Sequence, residues 1–151
     1  MLPAWIGRWR SAAVRFQVDQ DDVPMDTITL LLVEDEWVIL EALTTSLQSA
    51  GFDVAAAADG NKAMQILREQ ADRIAGVITD IRLPGNLDGW AVAQRARELK
   101  PSMPIVYMTG DSAADWPSKG VPNTIIVQKP FAEAQIVAAI STLLNKAESY
   151  S

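Results

Sequence analysis

The sequence contains neither cysteine nor histidine. No disulfide framework can form, no Cys/His zinc site can be assembled, and Ser-His or Cys-His nucleophilic chemistry is excluded. Any reaction must run on carboxylates, hydroxyls, lysine or a hard cation. Basic residues are in the minority: 13 Lys and Arg stand against 19 Asp and Glu, a formal net charge of −6. Nucleic-acid binders present a basic stripe, so no nucleic-acid partner is expected. An acidic surface suits a cytoplasmic protein that docks onto other proteins. No apolar run approaches the roughly 20 residues a membrane-spanning helix needs, and no membrane insertion is expected.

What remains is enough for one domain. The chain has 151 residues, of which 49% are hydrophobic and 21% charged, an ordinary balance for a globular core. Residues 1–26 read differently from the rest. MLPAWIGRWRSAAVRF mixes Trp5 and Trp9 with Arg8, Arg10 and Arg15, and an acidic stretch, Asp19 to Asp22, follows. This region is expected to be a disordered extension; the alternative is an amphipathic arm for a membrane surface or a partner.

From Thr27 onward, apolar runs alternate with helical periods. Ile28–Val33 is a continuous apolar run, as a strand buried on both faces requires. Ile39, Leu43 and Leu47 then recur at a spacing of four, a helical stripe, and Gly51 stands where a helix end wants a left-handed residue. Asp53–Ala58 reads as a second strand, and Asp59 as the cap of a helix carrying Ala63, Met64 and Leu67. Gly76–Thr79 is a third strand, and Asp88–Leu99 a helix stopped by Pro101. Pro104–Met108 and Asn123–Val127 are the last strands. A final helix after Pro130 buries Phe131, Ile136, Ile140 and Leu143 or Leu144. Five β-α units in a row predict an α/β fold with a parallel sheet and helices on both faces. A flavodoxin-like doubly wound sheet of order 2-1-3-4-5 suits units this short with no Gly-rich fingerprint after the first strand. The folded domain is expected over 27–146, with a tail at 147–151.

In such sheets, sites form at the carboxyl ends of the strands. Glu34, Asp35 and Glu36 follow the first strand, Asp80 the third, Thr109 and Gly110 the fourth, and Lys129 and Pro130 the fifth. Alone, an acidic pair is usually a helix cap, a Thr-Gly a turn and a lysine a surface charge. Together they place three carboxylates, a hydroxyl and an ammonium on one edge. Gathered carboxylates repel and raise one another's pKa unless a cation sits among them. A hard cation such as Mg²⁺ suits an oxygen-rich cluster. A carboxylate such as that of Asp80 can attack phosphorus to give an acyl phosphate, and the ammonium and hydroxyl can hold phosphoryl oxygens.

The motifs resemble the receiver domain of bacterial two-component response regulators. The matching stretches are LLVEDE at 31–36, VITDIRLPG with DGW across 77–90, YMTG at 107–110 and QKPF at 128–131. The resemblance implies that Asp80 is the phosphoacceptor and that Thr109 and Lys129 contact the phosphoryl oxygens. It implies Mg²⁺ bound by Asp35, with Glu34 assisting, together with Asp80 and the backbone carbonyl of Arg82. It implies a cis Lys129–Pro130 bond. The donor would be a phosphohistidine on a sensor histidine kinase or a histidine phosphotransfer protein. Chemistry beyond self-phosphotransfer and autodephosphorylation is not expected.

Several departures stand out. The loop between Pro84 and Asp88 is one residue longer than the common pattern. Ile126 stands three before Lys129, where many receivers carry an aromatic that moves with the threonine. Pro117, Gly120 and Pro122 leave room for little more than one turn of a fourth helix, which affects the surface on which receivers often form homodimers. Arg82 and Asp111 are expected to pair across the mouth of the pocket, and Trp37 is expected to respond to the metal. No output domain is expected after the last helix, so the output would be an unknown downstream protein target. The alternatives are a haloacid-dehalogenase-like Mg²⁺ phosphatase, which normally has a second Asp where Arg82 stands, and a receiver-like adaptor that is never phosphorylated.

Overall fold

A computed structural model of the chain describes residues 27–111, 114 and 116–149. The extension expected over 1–26 lies outside the described residues. Ten elements alternate along the chain: β1 (Thr29–Val33), α1 (Trp37–Ser49), β2 (Asp53–Ala57), α2 (Gly60–Gln70), β3 (Ile74–Asp80), α3 (Gly89–Leu99), β4 (Ile105–Thr109), α4 (Trp116–Lys119), β5 (Ile125–Gln128) and α5 (Glu133–Ser149). The strands form one parallel sheet in the order β2-β1-β3-β4-β5, the flavodoxin-like arrangement read from the sequence. None of the described helices is long and apolar enough to cross a membrane.

The period of two along each strand divides the core between the sheet's two faces. Leu31, Val33, Val77, Ile105 and Tyr107 face one way and meet Ala63, Ile66 and Leu67 of α2 and Val92, Ala93 and Ala96 of α3. Leu30, Leu32, Ile78, Val106 and Met108 face the other way and meet Leu43 and Leu47 of α1 and Ile136, Ile140 and Leu143 of α5. The central strands are therefore apolar up to their carboxyl ends, because both of their faces are covered.

Local chemistry sets the helix ends. The Asp59 side chain accepts from the Lys62 N–H at 2.8 Å, and Asp88 accepts from the Ala91 N–H at 3.0 Å, each satisfying a backbone donor that the first turn leaves open. α1 ends at Gly51, whose φ of 98° is left-handed. Gly51 N–H donates to Gln48 and Phe52 N–H to Leu47, both at 3.0 Å, the paired bonds of a Schellman stop.

Several strand and helix boundaries differ from the sequence reading by one or two residues. β3 begins two residues earlier, at Ile74. β5 begins at Ile125 rather than Asn123, because Asn123 has a φ of 61° and turns the chain into the strand. α5 continues to Ser149, so the domain end expected at 146 falls inside a helix. α4 is a single turn of four residues, as the prolines predict. The lengthened 84–88 loop folds back onto α2, where a Cβ at Gly60 would collide with the carbonyl oxygen of Leu87.

Gly89 fixes how α3 meets the sheet. Its N–H donates to the Ile81 carbonyl at 2.8 Å, and a Cβ there would overlap the carbonyl oxygen of Asp80. Both obstacles are backbone and cannot rotate away. Gly89→Ala should therefore destabilise the fold by about 1–3 kcal/mol, as overpacking does. Gly110→Ala, where a Cβ meets nothing within 4 Å, should change stability by less than about 0.5 kcal/mol. Urea unfolding of the two variants checks this; equal effects would contradict the packing account.

Candidate functional site

Parallel strands deliver their carboxyl ends to one edge, and the structure places the candidate residues there. Glu34 follows β1, Asp80 ends β3, Thr109 ends β4 and Lys129 follows β5. The β4 backbone holds two of the flanking segments in place. The Ile81 N–H donates to the Met108 carbonyl at 3.0 Å, and the Lys129 N–H donates to the Thr109 carbonyl at 2.7 Å. The Lys129–Pro130 bond is cis.

At the centre is the Lys129 ammonium. It lies 3.0 Å from Glu34 Oε1, 3.0 Å from Asp80 Oδ2 and 3.8 Å from Glu36 Oε1. The second Glu34 oxygen accepts the Glu36 N–H at 3.0 Å. Carboxylate oxygens of Glu34, Asp35 and Asp80 lie within 4.8 Å of one another. Glu34 is fully buried and Asp80 nearly so, while Asp35 is exposed.

The electrostatics follow from this crowding. Burial pushes the Glu34 carboxyl up to about 7. The Glu36 N–H and Lys129 oppose that rise, and the Asp80 charge adds to it. Burial works against the charge of Lys129 as well, but hydrogen bonds and attraction from Asp80 and Glu34 outweigh it and hold the ammonium above its ordinary value. One cation thus faces three clustered carboxylates. The donor set is hard oxygen, partly exposed at Asp35, which fits Mg²⁺ with some of its water retained. Glu34, Asp35 and Asp80 could hold the ion.

Thr109 is almost wholly buried, and its hydroxyl accepts the Asp111 N–H at 3.2 Å. The Arg82 side chain reaches across to Asp111, Nε to Oδ1 at 2.9 Å, which is the pairing expected from the sequence. The two side chains are 77% and 59% exposed, so the pair itself adds little to stability. Trp37 opens α1 and is 67% exposed beside the cluster. Trp90 is buried against Tyr107, with ring centroids 4.7 Å apart.

Sequence reasoning placed Glu34 in the acidic cluster without its second role, and it did not single out Tyr107 or Arg97. Glu34 is the buried counter-ion of Lys129 as well as a member of the acidic cluster. Tyr107, buried two residues before Thr109, accepts the Val121 N–H at 3.2 Å on its hydroxyl. Arg97 donates to three backbone carbonyls, of Met103, Pro122 and Asn123. Nothing in the spacing marks Tyr107 or Arg97, because their partners in the 121–123 turn lie far away in sequence.

Comparison with known proteins agrees with the geometry. The family model described as the response regulator receiver domain matches residues 30–141. Among curated relatives, a probable transcriptional regulator, ycf27 of Cyanophora paradoxa, is 33% identical over 80% of this chain and 49% of its own. The probable transcriptional regulatory protein TcrX of Mycobacterium tuberculosis is 28% identical over 79% of this chain and 50% of its own. The chain thus spans about half the length of these relatives. A response regulator receiver protein from Sinorhizobium medicae superposes with a TM-score of 0.79 at 46% identity, covering 82% of this chain and 99% of that one. With its sheet order, its acidic edge and its sequence matched over residues 30–141, this chain belongs to the response regulator receiver domain family.

Proposed function

We propose that the chain is a phosphoacceptor whose Asp80 receives a phosphoryl group from a phosphohistidine, and that it signals through protein contacts. The observation that carries this reading is the Lys129 ammonium held 3.0 Å from both Asp80 and Glu34. An Asp80 oxygen attacks phosphorus, the P–N bond of the donor breaks, and the imidazole keeps the electron pair. Lys129 is placed to neutralise a phosphoryl oxygen, and the Thr109 hydroxyl to donate to another. Bound Mg²⁺ would supply the charge that offsets repulsion between a carboxylate and an incoming phosphoryl group. The Arg82 backbone carbonyl is the further protein ligand in this reading. The donor would be a sensor histidine kinase or a histidine phosphotransfer protein. A transcriptional role is attached to longer relatives, and for this chain we favour output to a protein target.

Incubation with acetyl phosphate and Mg²⁺ should add one phosphoryl group by intact mass. Asp80→Asn should abolish the gain, and Lys129→Met should slow it by about 10²-fold or more, the usual cost of losing a charge-stabilising group. An unmodified wild type, or an Asp80→Asn protein that is still modified, contradicts the proposal.

Arg82, two residues after Asp80, pairs with Asp111, two after Thr109, and we infer that this pair slows water's approach to the acyl phosphate. Arg82→Ala should shorten the lifetime of the phosphorylated form; an unchanged lifetime removes the idea.

The raised Glu34 carboxyl also predicts a pH dependence. Between its ordinary value of 4.5 and its folded value of about 7, the metal-free folded state holds a proton that the unfolded chain has released. Its contribution to stability is complete below the lower value and is lost as pH rises through about 7. Mg²⁺ needs the ionised form. The rise in Tm on adding Mg²⁺ should therefore be larger at about pH 8 than at about pH 5; an equal or reversed effect would count against the ion binding at these carboxylates.

A further inference from the structure

The edge of the sheet opposite the acidic cluster holds a cavity. It lies where β4 and β5 begin and where α3 and α5 end. Its volume is about 810 Å³, within the roughly 300–1,000 Å³ of small-molecule sites. Pro104, Ile125 and Leu143 give it apolar walls, and Arg97, Asn123 and Lys146 give it polar ones. Two of these six are cations, in a chain whose formal net charge is −6. Among the described residues, no carboxylate lines it.

Arg97 is fixed in place by backbone. Its Nε donates to the Met103 carbonyl at 2.7 Å, Nη1 to the Pro122 carbonyl at 2.6 Å and Nη2 to the Asn123 carbonyl at 3.1 Å. A guanidinium has five N–H donors, so one remains on each Nη nitrogen. Carbonyls satisfy donors but do not cancel a charge. Among the described residues, no ion pair engages Arg97 or Lys146. The neighbouring carboxylate, Glu98, is paired with Arg95 at 3.0 Å instead. Burial pushes the Arg97 guanidinium below its ordinary value, as expected for a partly desolvated cation without a counter-ion. Lys146 stands exposed in the last turn of α5 and completes the charged side of the cavity.

We propose that this cavity binds a small monocarboxylate with an apolar body, its carboxylate on Arg97 and Lys146 and its body against Pro104, Ile125 and Leu143. The two remaining Nη donors match the two oxygens of a carboxylate, and paired bonds of this kind are the strong form of the contact. The surroundings select one negative charge over two. Both α3 and α5 end here, and the carbonyl end of a helix is partly negative. Each helix end explains a cation in its own last turn, and the shared cavity between them is where an anion can use both cations at once. A dianion such as phosphate would meet the same carbonyls with twice the charge. The site lies at the opposite ends of the strands from Asp80, and its occupancy does not require phosphorylation.

The full chain is titrated with phenylacetate at constant ionic strength, and backbone amide shifts are followed by NMR. The amides of Asn123, Ile125 and Ala147 should move together and saturate, with a Kd of about 1 mM. Phenylacetamide, which keeps the ring and loses the charge, should bind about tenfold more weakly. Acetate, which keeps the charge and loses the ring, should also bind about tenfold more weakly. Lys146→Glu reverses an exposed charge without touching the core and should weaken phenylacetate by about tenfold. Arg97→Gln should weaken it further; because Arg97 also holds the 122–123 turn, the Lys146 variant decides the matter if Arg97→Gln does not fold. Shifts that do not saturate by about 10 mM, or that saturate only at residues away from the cavity, overturn the proposal. So does phenylacetamide or acetate binding as tightly as phenylacetate, or a Lys146→Glu protein that binds like the wild type.

Discussion

The site depends on one ammonium shared between two buried carboxylates. Glu34 is fully buried and Asp80 nearly so, and their oxygens could not stay close in a dry edge of the sheet without a cation between them. Lys129 supplies that charge from the far strand, and its own backbone is tied to Thr109. The interaction therefore joins β1, β3, β4 and β5 at one point. It leaves the edge short of positive charge, because Asp35 adds a third carboxylate. An edge that is stable yet under-neutralised fits the proposed uptake of a divalent ion and then a phosphoryl group.

The rest of the molecule positions this point. Two cores, one on each face of the sheet, hold the strands in register. The N-terminus of α3 is seated directly on the Asp80 backbone, which only a glycine at position 89 allows. The Asp88 cap and the Gly60 contact with the 84–88 loop hold the same corner from the other side. Precision at Asp80 thus comes from backbone packing rather than from the polar side chains themselves.

Much of this was legible in the residues. The apolar runs gave the strands because a parallel sheet is buried on both faces, and the residue after each run gave the edge. Asp59, Asp88 and Gly51 marked helix ends through chemistry confined to a few neighbouring residues. The Arg82–Asp111 pair was legible because both positions are counted from strand ends. The start of β5 was misplaced because Asn123 and Thr124 run straight into the apolar stretch, whereas Asn123 adopts a left-handed turn. Nothing near 146 stops a helix, and α5 runs past that position to Ser149. Tyr107 and Arg97 were missed for a different reason. Their roles come from contacts between distant segments, which no local spacing encodes.

The central claim concerns one oxygen of one side chain. Treating the phosphorylated protein with borohydride reduces an acyl phosphate to an alcohol, and peptide mapping then locates the altered residue. The account predicts reduction at position 80 alone, dependent on Mg²⁺. Reduction at Glu34 or Asp35, or at no carboxylate of the edge, would contradict it.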